Sequence, residues 1–479
     1  MAKTTHIAVI PSPGFSHLVP IIEFSKRLIH LHPDFQVHCI IPSLGSPSST
    51  SISYLQTLPS NINPIFLPPV PHNNMPQENN NHTGFQIQRT VTLSLPHIRE
   101  ELESLMSSRS NNKLAALIVD VFAMEVLDIA SELNILSHVY CPLSAMTLSL
   151  YFYIPKLGEI VSCDFRDLQD PIEIPGCVPV HGRDLPDSLQ DRSSEVYKQF
   201  LGRSRRIGFA DGVLVNSFTE LEAQTIKALE EEAKEKQKKP RIYPVGPILH
   251  SGSAGDENRT GCVNWLNKQQ PRSVLYVSFG SGGTLSQEQL NELAFGLELS
   301  GERFLWVVRP PSNNPSAAYL DNSNEQNPLD FLPEGFLERT KEKGFVIPSW
   351  APQIQILSHS STGGFLSHCG WNSVLESVQK GVPLMAWPLF AEQTINAVLL
   401  TDGMKVALRP KGDESGIVGR EEIAELVKSL MKGEEGKEIR KRMSVLRDAS
   451  ANALKEEDGS STETLLQLAL QWKDLGGKI

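Results

Sequence analysis

Between Trp350 and Gln393 the chain reads WAPQIQILSHSSTGGFLSHCGWNSVLESVQKGVPLMAWPLFAEQ. Gly364-Phe365-Leu366-Ser367 has the texture of a buried strand. It leaves through a Gly-bearing turn, His368-Cys369-Gly370, into a helical pattern from Trp371 to Lys380. A helix N-terminus behind such a turn offers unpaired N–H groups and the positive end of the helix dipole, and so favours an anion. Asn372 and Ser373 fall in its first turn and can add hydrogen bonds to a phosphate. Glu376 follows on nearly the same helix face, where a carboxylate can accept bonds from two ribose hydroxyls, as the acidic residue of dinucleotide folds does. Trp350 presents a flat apolar face on which a base can stack. Each residue also has a plainer reading: Asn372 and Ser373 as helix caps, Trp350 as core packing.

A second reactive group lies near the N-terminus. His17 follows the apolar run Ile7 to Ile10 and the turn PSPG, and Asp120 ends another apolar run, Ala115 to Val119. Open α/β sheets bind ligands at the carboxyl ends of their strands, so both residues fall where a site would form. Imidazole titrates near neutrality and suits a general base toward a hydroxyl. A buried carboxylate beside it would fix its tautomer and stabilise the imidazolium. Taken alone, His17 fits a structural loop histidine as well, one of 13 histidines in the chain.

The elements that must position these groups alternate between strand and helix. Ile7–Ile10, the amphipathic stretch Val19–His32 and Phe35–Ile41 make one βαβ unit. Ala115–Val119, a helix near Glu125–Leu133, His138–Cys141 and Gly212–Val215 continue the pattern. From Pro240 to Gly261 the texture turns rich in Pro, Gly and Ser, which reads as a linker. Beyond it, strands are expected at Val274–Phe279, Phe304–Val308, Phe345–Ile347, Gly364–Leu366 and Leu384–Trp387, with a helix at Gln287–Leu299. His72–Thr83 and Pro310–Pro328 read as exposed loops, the second as a mobile insertion rather than a binding loop.

The chain has 479 residues, which suits two domains of about 200–250 residues each. A net charge of −11 argues against nucleic-acid partners, which require a basic face. The basic runs Arg203–Arg206 and Lys234–Lys239 are short, and the second lies beside Glu230–Glu232, as on a solvated helix face. The six cysteines include no C-x-x-C pair, so free thiols in a reducing compartment are expected. The N-terminus lacks the apolar region of a signal peptide, and no run of 18 apolar residues occurs, so a cytoplasmic protein without membrane insertion is expected.

The ordered set from WAPQ through HCGWNS and E to EQ resembles, over all 44 positions, the signature box of plant secondary-product UDP-glycosyltransferases. PSPGFSH and YVSFGSGGT extend the resemblance along the chain. PGCVPV, YPVGP and LNELAFGLE are most similar to the group within that family that contains hydroquinone glucosyltransferase. The resemblance implies an α/β fold of the GT-B type, two Rossmann-like doubly wound domains facing across a cleft. On that pattern residues 1–248 form the acceptor-binding domain, 249–262 the linker, 263–458 the UDP-sugar-binding domain, and 459–479 a helix packing back on the first domain. Trp350 then stacks on uracil, with Ala351 and Gln353 holding base and ribose, and Glu376 takes the ribose hydroxyls. His368, Asn372, Ser373 and Ser281 hold the pyrophosphate, and Trp371, Glu392 and Gln393 contact the sugar. A final Gln in this box goes with glucose. His17 and Asp120 fall on the family's catalytic pair, although Ser16 stands where the family usually has Gly, a change that bears on acceptor preference.

The expected reaction is a single in-line, inverting displacement by a phenolic oxygen on UDP-glucose, giving a β-glucoside. Hydroquinone-like phenols, monolignols, flavonols and isoflavones are the expected acceptors. No D-x-D pair is present, so neither a metal nor another cofactor is expected, and the default oligomeric state is monomer. Phe15, Phe122, Leu143, Met146 and Phe152, apolar residues near strand ends, and Phe390 from the other domain are candidate acceptor walls; each fits core packing equally. Two rivals remain. A nicotinamide oxidoreductase needs G-x-G-x-x-G, which Gly280-Ser281-Gly282-Gly283 does not supply. A non-catalytic UDP-sugar sensor would keep the donor box without turnover.

Overall fold

The computed structural model of the chain describes residues 4–71, 83–107, 114–235, 240–250, 261–318 and 326–477. In the first half, apolar runs become β1 (Thr5–Ile10), β2 (Phe35–Ile41), β3 (Ile62–Phe66), β4 (Leu114–Asp120), β5 (Ser137–Cys141), β6 (Gly212–Val215) and β7 (Arg241–Pro244). They pair in parallel in the order β3-β2-β1-β4-β5-β6-β7. In the second half, β8 (Val274–Ser278), β9 (Arg303–Val308), β10 (Gly344–Pro348), β11 (Thr362–Ser367), β12 (Leu384–Ala386) and β13 (Ala407–Leu408) form a second parallel sheet, ordered β10-β9-β8-β11-β12-β13. Helices cover the sheet faces, which is why β4, β5, β8 and β11 are buried at every position. Two Rossmann-like halves of the GT-B type result.

In each sheet the strand order reverses once, and there the loops leaving adjacent strands part to open a crevice. In the first sheet the reversal lies between β1 and β4, where Ile10 pairs with Val119. The segment carrying His17 and the strand end at Asp120 therefore leave side by side. In the second it lies between β8 and β11, where Ser278 pairs with Ser367. The glycine loop after β8 and the turn His368–Gly370 are neighbours for the same reason.

Several sequence expectations shift. The first helix runs from Phe15 to Leu31 rather than from Val19, because Gly14 at φ 109° turns the chain directly from β1 into it. His17 is thus a first-turn helical residue, not a loop histidine. Part of the stretch from Pro240 read as linker is the edge strand β7, too short to show a period. Of the later linker, residues 251–260 lie outside the described residues, and Cys262 already opens a short helix. The loop expected at His72–Thr83 lies outside the described residues up to 82, and Thr83 begins the helix Thr83–Ser107. Within Pro310–Pro328, residues 319–325 lie outside the described residues, but 310–318 are not a free insertion. The Thr284 N–H and hydroxyl donate to Pro315 O and Asn314 O at 3.0 and 2.7 Å, and the Ser312 N–H donates to Leu285 O at 2.8 Å. None of the six cysteines forms a disulfide. Among the described residues no helix is long and apolar enough to cross a membrane.

The last helix, Ser460–Gly477, crosses back to the first sheet. Leu465, Leu468, Ala469 and Trp472 are fully buried in the core around β1, β2 and β4. Trp472 meets the rings of Phe35 and His138 at 6.2 and 5.3 Å. Thr462 accepts from Arg27 at 2.6 Å, and Lys473 donates to Asp34 at 2.9 Å. Trp472→Ala should lower stability by about 3–5 kcal/mol, read as a lower denaturation midpoint in guanidinium unfolding. A shift within error of wild type would mean the helix is not anchored by this ring.

Candidate active site

The first half of the site is organised by Asp120, which has no solvent exposure. Its Oδ1 accepts from the Ser12 hydroxyl at 2.5 Å and from the Phe122 N–H at 3.1 Å, and its Oδ2 faces His17 Nδ1 at 2.9 Å. A carboxylate only accepts, so Nδ1 is the donor and the neutral ring presents Nε2 as an acceptor. His17 lines the cleft, which makes Nε2 the nitrogen available to a substrate. Burial pulls the His17 pKa down. The charge and hydrogen bond of Asp120, helped by the charge of Glu392, outweigh it and leave the imidazole above its ordinary value. The edge of one ring meets the other where Phe122 packs on His17 at 5.2 Å between centroids, which fixes the imidazole from the side.

The second half starts where β11 ends. Cys369 takes a left-handed conformation, φ 66°, and is held there from both sides. Its N–H donates to Ser367 Oγ at 3.2 Å, and Asn396 Nδ2 donates to its carbonyl at 2.9 Å. This turn launches the helix Trp371–Lys380. His368 packs against the glycine loop so closely that a side chain on Gly280 would meet its ring at 2.5 Å. Burial, reinforced by the positive charge of Arg309, lowers the His368 pKa to about 4, so this residue acts as a neutral imidazole.

One turn further, Gln353 ties the nucleotide-side residues together. Its amide donates to Ser373 Oγ at 2.9 Å and to Glu376 Oε2 at 2.7 Å, and its Oε1 accepts from Tyr276 at 3.3 Å. Burial raises the Glu376 pKa to about 7, only partly offset by the Gln353 bond and the charges of His250 and Lys380. Ala351 is buried beneath this network, whereas Trp350 is 51% exposed, which excludes core packing.

A cavity of about 450 Å³ joins the two halves, within the range of small-molecule sites. His17 and Phe122 line it from one side; Ser281, His368, Asn372 and Ser373 line it from the other. Glu392 borders it as well, with its carboxyl pKa raised by burial despite the nearby His17. Gln393 is buried, and its Oε1 accepts from the Leu389 and Phe390 N–H groups at 2.8 and 3.1 Å, leaving only the amide nitrogen for a ligand. Trp371 reaches the cavity, but its indole N–H donates across the cleft to Asn216 O at 2.7 Å, tying the two halves together.

Of the expected acceptor walls, Phe122, Leu143 and Phe390 line the cavity. Phe15, Met146 and Phe152 do not. Phe15 packs edge-on against Tyr54 at 5.8 Å, Met146 is fully buried in the core, and Phe152 packs against that same core. Proximity to a strand end does not decide which way a helical side chain points, which is why these three were misplaced. The walls that sequence reasoning missed are Phe85, from the helix Thr83–Ser107, and Phe200 and Arg203, from Glu195–Arg206. Tyr151 completes that side.

The comparisons with known proteins agree with this geometry. Residues 254–452 match the family described as UDP-glucoronosyl and UDP-glucosyl transferase. Over 475 residues, 99% of each chain, the protein is 49% identical to hydroquinone glucosyltransferase of Rauvolfia serpentina. The chain belongs to the plant family 1 UDP-glycosyltransferases. Among solved structures it is similar, with TM-score 0.90, 47% identity and 99% coverage of both chains, to a Polygonum tinctorium UDP-glucosyltransferase capable of glucosylating indoxyl. A Phytolacca americana enzyme complexed with UDP-2-fluoro-glucose and pterostilbene matches with TM-score 0.88 and 44% identity, over 98% of this chain and all of that one.

The elevated pKa of Glu376 has a stability consequence with a definite sign. Its folded value, about 7, exceeds the ordinary 4.5, so folding favours the neutral acid. That advantage is complete below pH 4.5 and disappears as pH rises through about 7. Glu376→Gln removes the titration. Its melting temperature relative to wild type should therefore climb between those two values and level off above them. A difference that stays constant with pH would show that the carboxyl is not held neutral.

Proposed function

We propose that this glycosyltransferase moves glucose from UDP-glucose to the hydroxyl of a small phenol, with inversion at the anomeric carbon. The observation that carries the reading is that one cavity is bordered both by His17, its Nδ1 held by Asp120, and by the N-terminal turn of Trp371–Lys380 with His368, Asn372 and Ser373. A base and an anion site thus face each other across a space the size of a sugar and an aromatic ring.

The phenol O–H proton passes to His17 Nε2 as the oxygen attacks the anomeric carbon. The new C–O bond forms on the face opposite the diphosphate while the old one breaks, and UDP departs with the electron pair. Asp120 stabilises the imidazolium that results. The charge growing on the leaving diphosphate meets helix N–H groups, Ser373, Asn372 and a neutral His368, a preorganised set of donors that requires no metal. Trp350 covers the base and Glu376 takes the ribose hydroxyls. Glu392 and the amide nitrogen of Gln393 hold glucose hydroxyls, and Phe122, Leu143 and Phe390 enclose the acceptor ring. A soluble cytoplasmic monomer would suffice for this chemistry.

Purified protein incubated with UDP-glucose, EDTA and a panel of phenols should yield products heavier by one hexosyl unit, with the coupling constant of a β-anomer. His17→Ala should reduce kcat by roughly 10²–10⁴-fold. UDP-glucose binding without turnover on any acceptor would replace this reading with a sugar-nucleotide sensor. The pH profile supplies a second check. Because Asp120 is the chief influence raising the His17 pKa, kcat/KM should rise with pH through an inflection above 6.5, and Asp120→Asn should move that inflection to lower pH while lowering the plateau. An inflection unmoved by the substitution would assign the base elsewhere.

A further inference from the structure

Arg203 is the least expected group in the acceptor half of the cavity. It is 7% exposed and borders the same space as His17. Its guanidinium lies over the rings of Phe122 and Phe200, 4.9 and 5.6 Å from their centroids. Nη1 donates to Gln88 Oε1 at 2.6 Å, and Nε is buried without a partner. Among the described residues no carboxylate pairs with it. Glu125 is one step removed, bound to the Nε2 end of the Gln88 amide at 2.8 Å and to Thr92 at 3.2 Å.

Burying a cation without a counter-ion is unfavourable by several kcal/mol in general, and ring faces offset only part of that. A guanidinium has five donors in a planar fork suited to a carboxylate. Here a single side-chain amide engages it. The position relative to the base is equally specific. His17 lies 5.2 Å and Arg203 4.9 Å from the same Phe122 ring, so the base and the cation are separated by no more than the sum of those distances. That span leaves room at most for a single phenol ring with a carboxyl group attached directly to it.

We propose that Arg203 makes this cavity selective for phenols bearing a carboxylate on the same ring, that is, for hydroxybenzoates. The inference rests on the His17-centred reading above and names its acceptor class. With the carboxylate on Arg203, the phenolic hydroxyl faces His17. The product is then a phenolic O-glucoside with a free acid, not a glucose ester.

The test compares 4-hydroxybenzoate with its methyl ester, and 3-hydroxybenzoate with its methyl ester, alongside hydroquinone, in wild type, Arg203→Met and Arg203→Lys. Wild type should favour each acid over its ester in kcat/KM. Arg203→Met should lower that ratio by about 10- to 100-fold, the loss expected for a hydrogen bond to a charged group, and Arg203→Lys should restore part of it. The products should resist hydroxylamine, which cleaves glucose esters. A wild-type ratio at or below one, a ratio that survives Arg203→Met, or an ester product would each overturn the proposal. The wild-type ratio stands even if the methionine variant fails to fold. If hydroquinone and every other phenol go unturned, it is the transferase reading that falls. Calorimetric binding of 4-hydroxybenzoate against its methyl ester, in the presence of UDP, then decides the Arg203 assignment by itself.

Discussion

The arrangement depends first on a buried carboxylate. Asp120 has no exposed surface, and an ion so placed is tolerated only when its acceptor sites are filled. Ser12, Phe122 and His17 fill them, and each comes from a segment that the β1/β4 reversal forces into place. Ser12 follows β1, Phe122 follows β4, and His17 sits in the first turn of the helix that Gly14 allows to begin at once. Moving any of these elements would strand a buried charge, so the same interaction that orients the imidazole also holds the first crevice in register. The catalytic geometry is in this sense a condition of the fold.

The second half has a different electrostatic make-up, with His368 close enough to Arg309 to feel its positive charge. His368 is kept neutral by burial, and the helix N-terminus supplies only partial charge. The two halves are held across the cleft by uncharged hydrogen bonds, Trp371 to the Asn216 carbonyl and Ser144 to Asn396 Oδ1 at 3.1 Å, and at the periphery by ion pairs such as Arg409 with Asp184 at 2.8 Å. Asn396 matters twice, since its other end fixes the strained Cys369 turn. The contact between the halves and the shape of the His368–Gly370 turn are therefore linked through one side chain.

Much of this was legible in the sequence, and the legible part has a common physical cause. Buried parallel strands leave continuous apolar runs, and β1, β2, β4, β5, β8 and β9 were each located to within a residue or two. Short edge strands such as β3 and β7 carry no comparable pattern and were missed, one of them inside the segment read as linker. The turn His368–Gly370 and the start of the helix at Trp371 were equally readable, because local residue types within one contiguous stretch set them. His17 and Asp120, though 103 positions apart, could be paired because each stands at the end of an apolar strand. The acceptor wall was the failure: Phe15, Met146 and Phe152 were expected there, and none lines the cavity.

That failure is instructive because the missing information was partly present. In the helix Glu195–Arg206 the buried positions are Tyr197, Phe200, Arg203 and Ser204, spaced as one face of a helix. Arg203 belongs to that face, whereas Arg206, in the same basic run, is turned outward and pairs with Asp128 at 2.7 Å. Read as composition, Arg203–Arg206 is a short cluster of charge on a surface. Read at helical period, its first member falls in line with two aromatic residues and must point inward. An arginine on the apolar stripe of an amphipathic helix requires an explanation in a way that an arginine on the polar stripe does not. In this molecule the available explanations are a structural partner, of which the described residues provide one amide, or a ligand. The fold fixes where the cavity lies, and single positions of this kind, facing inward from helices that carry no other chemistry, give its wall its character.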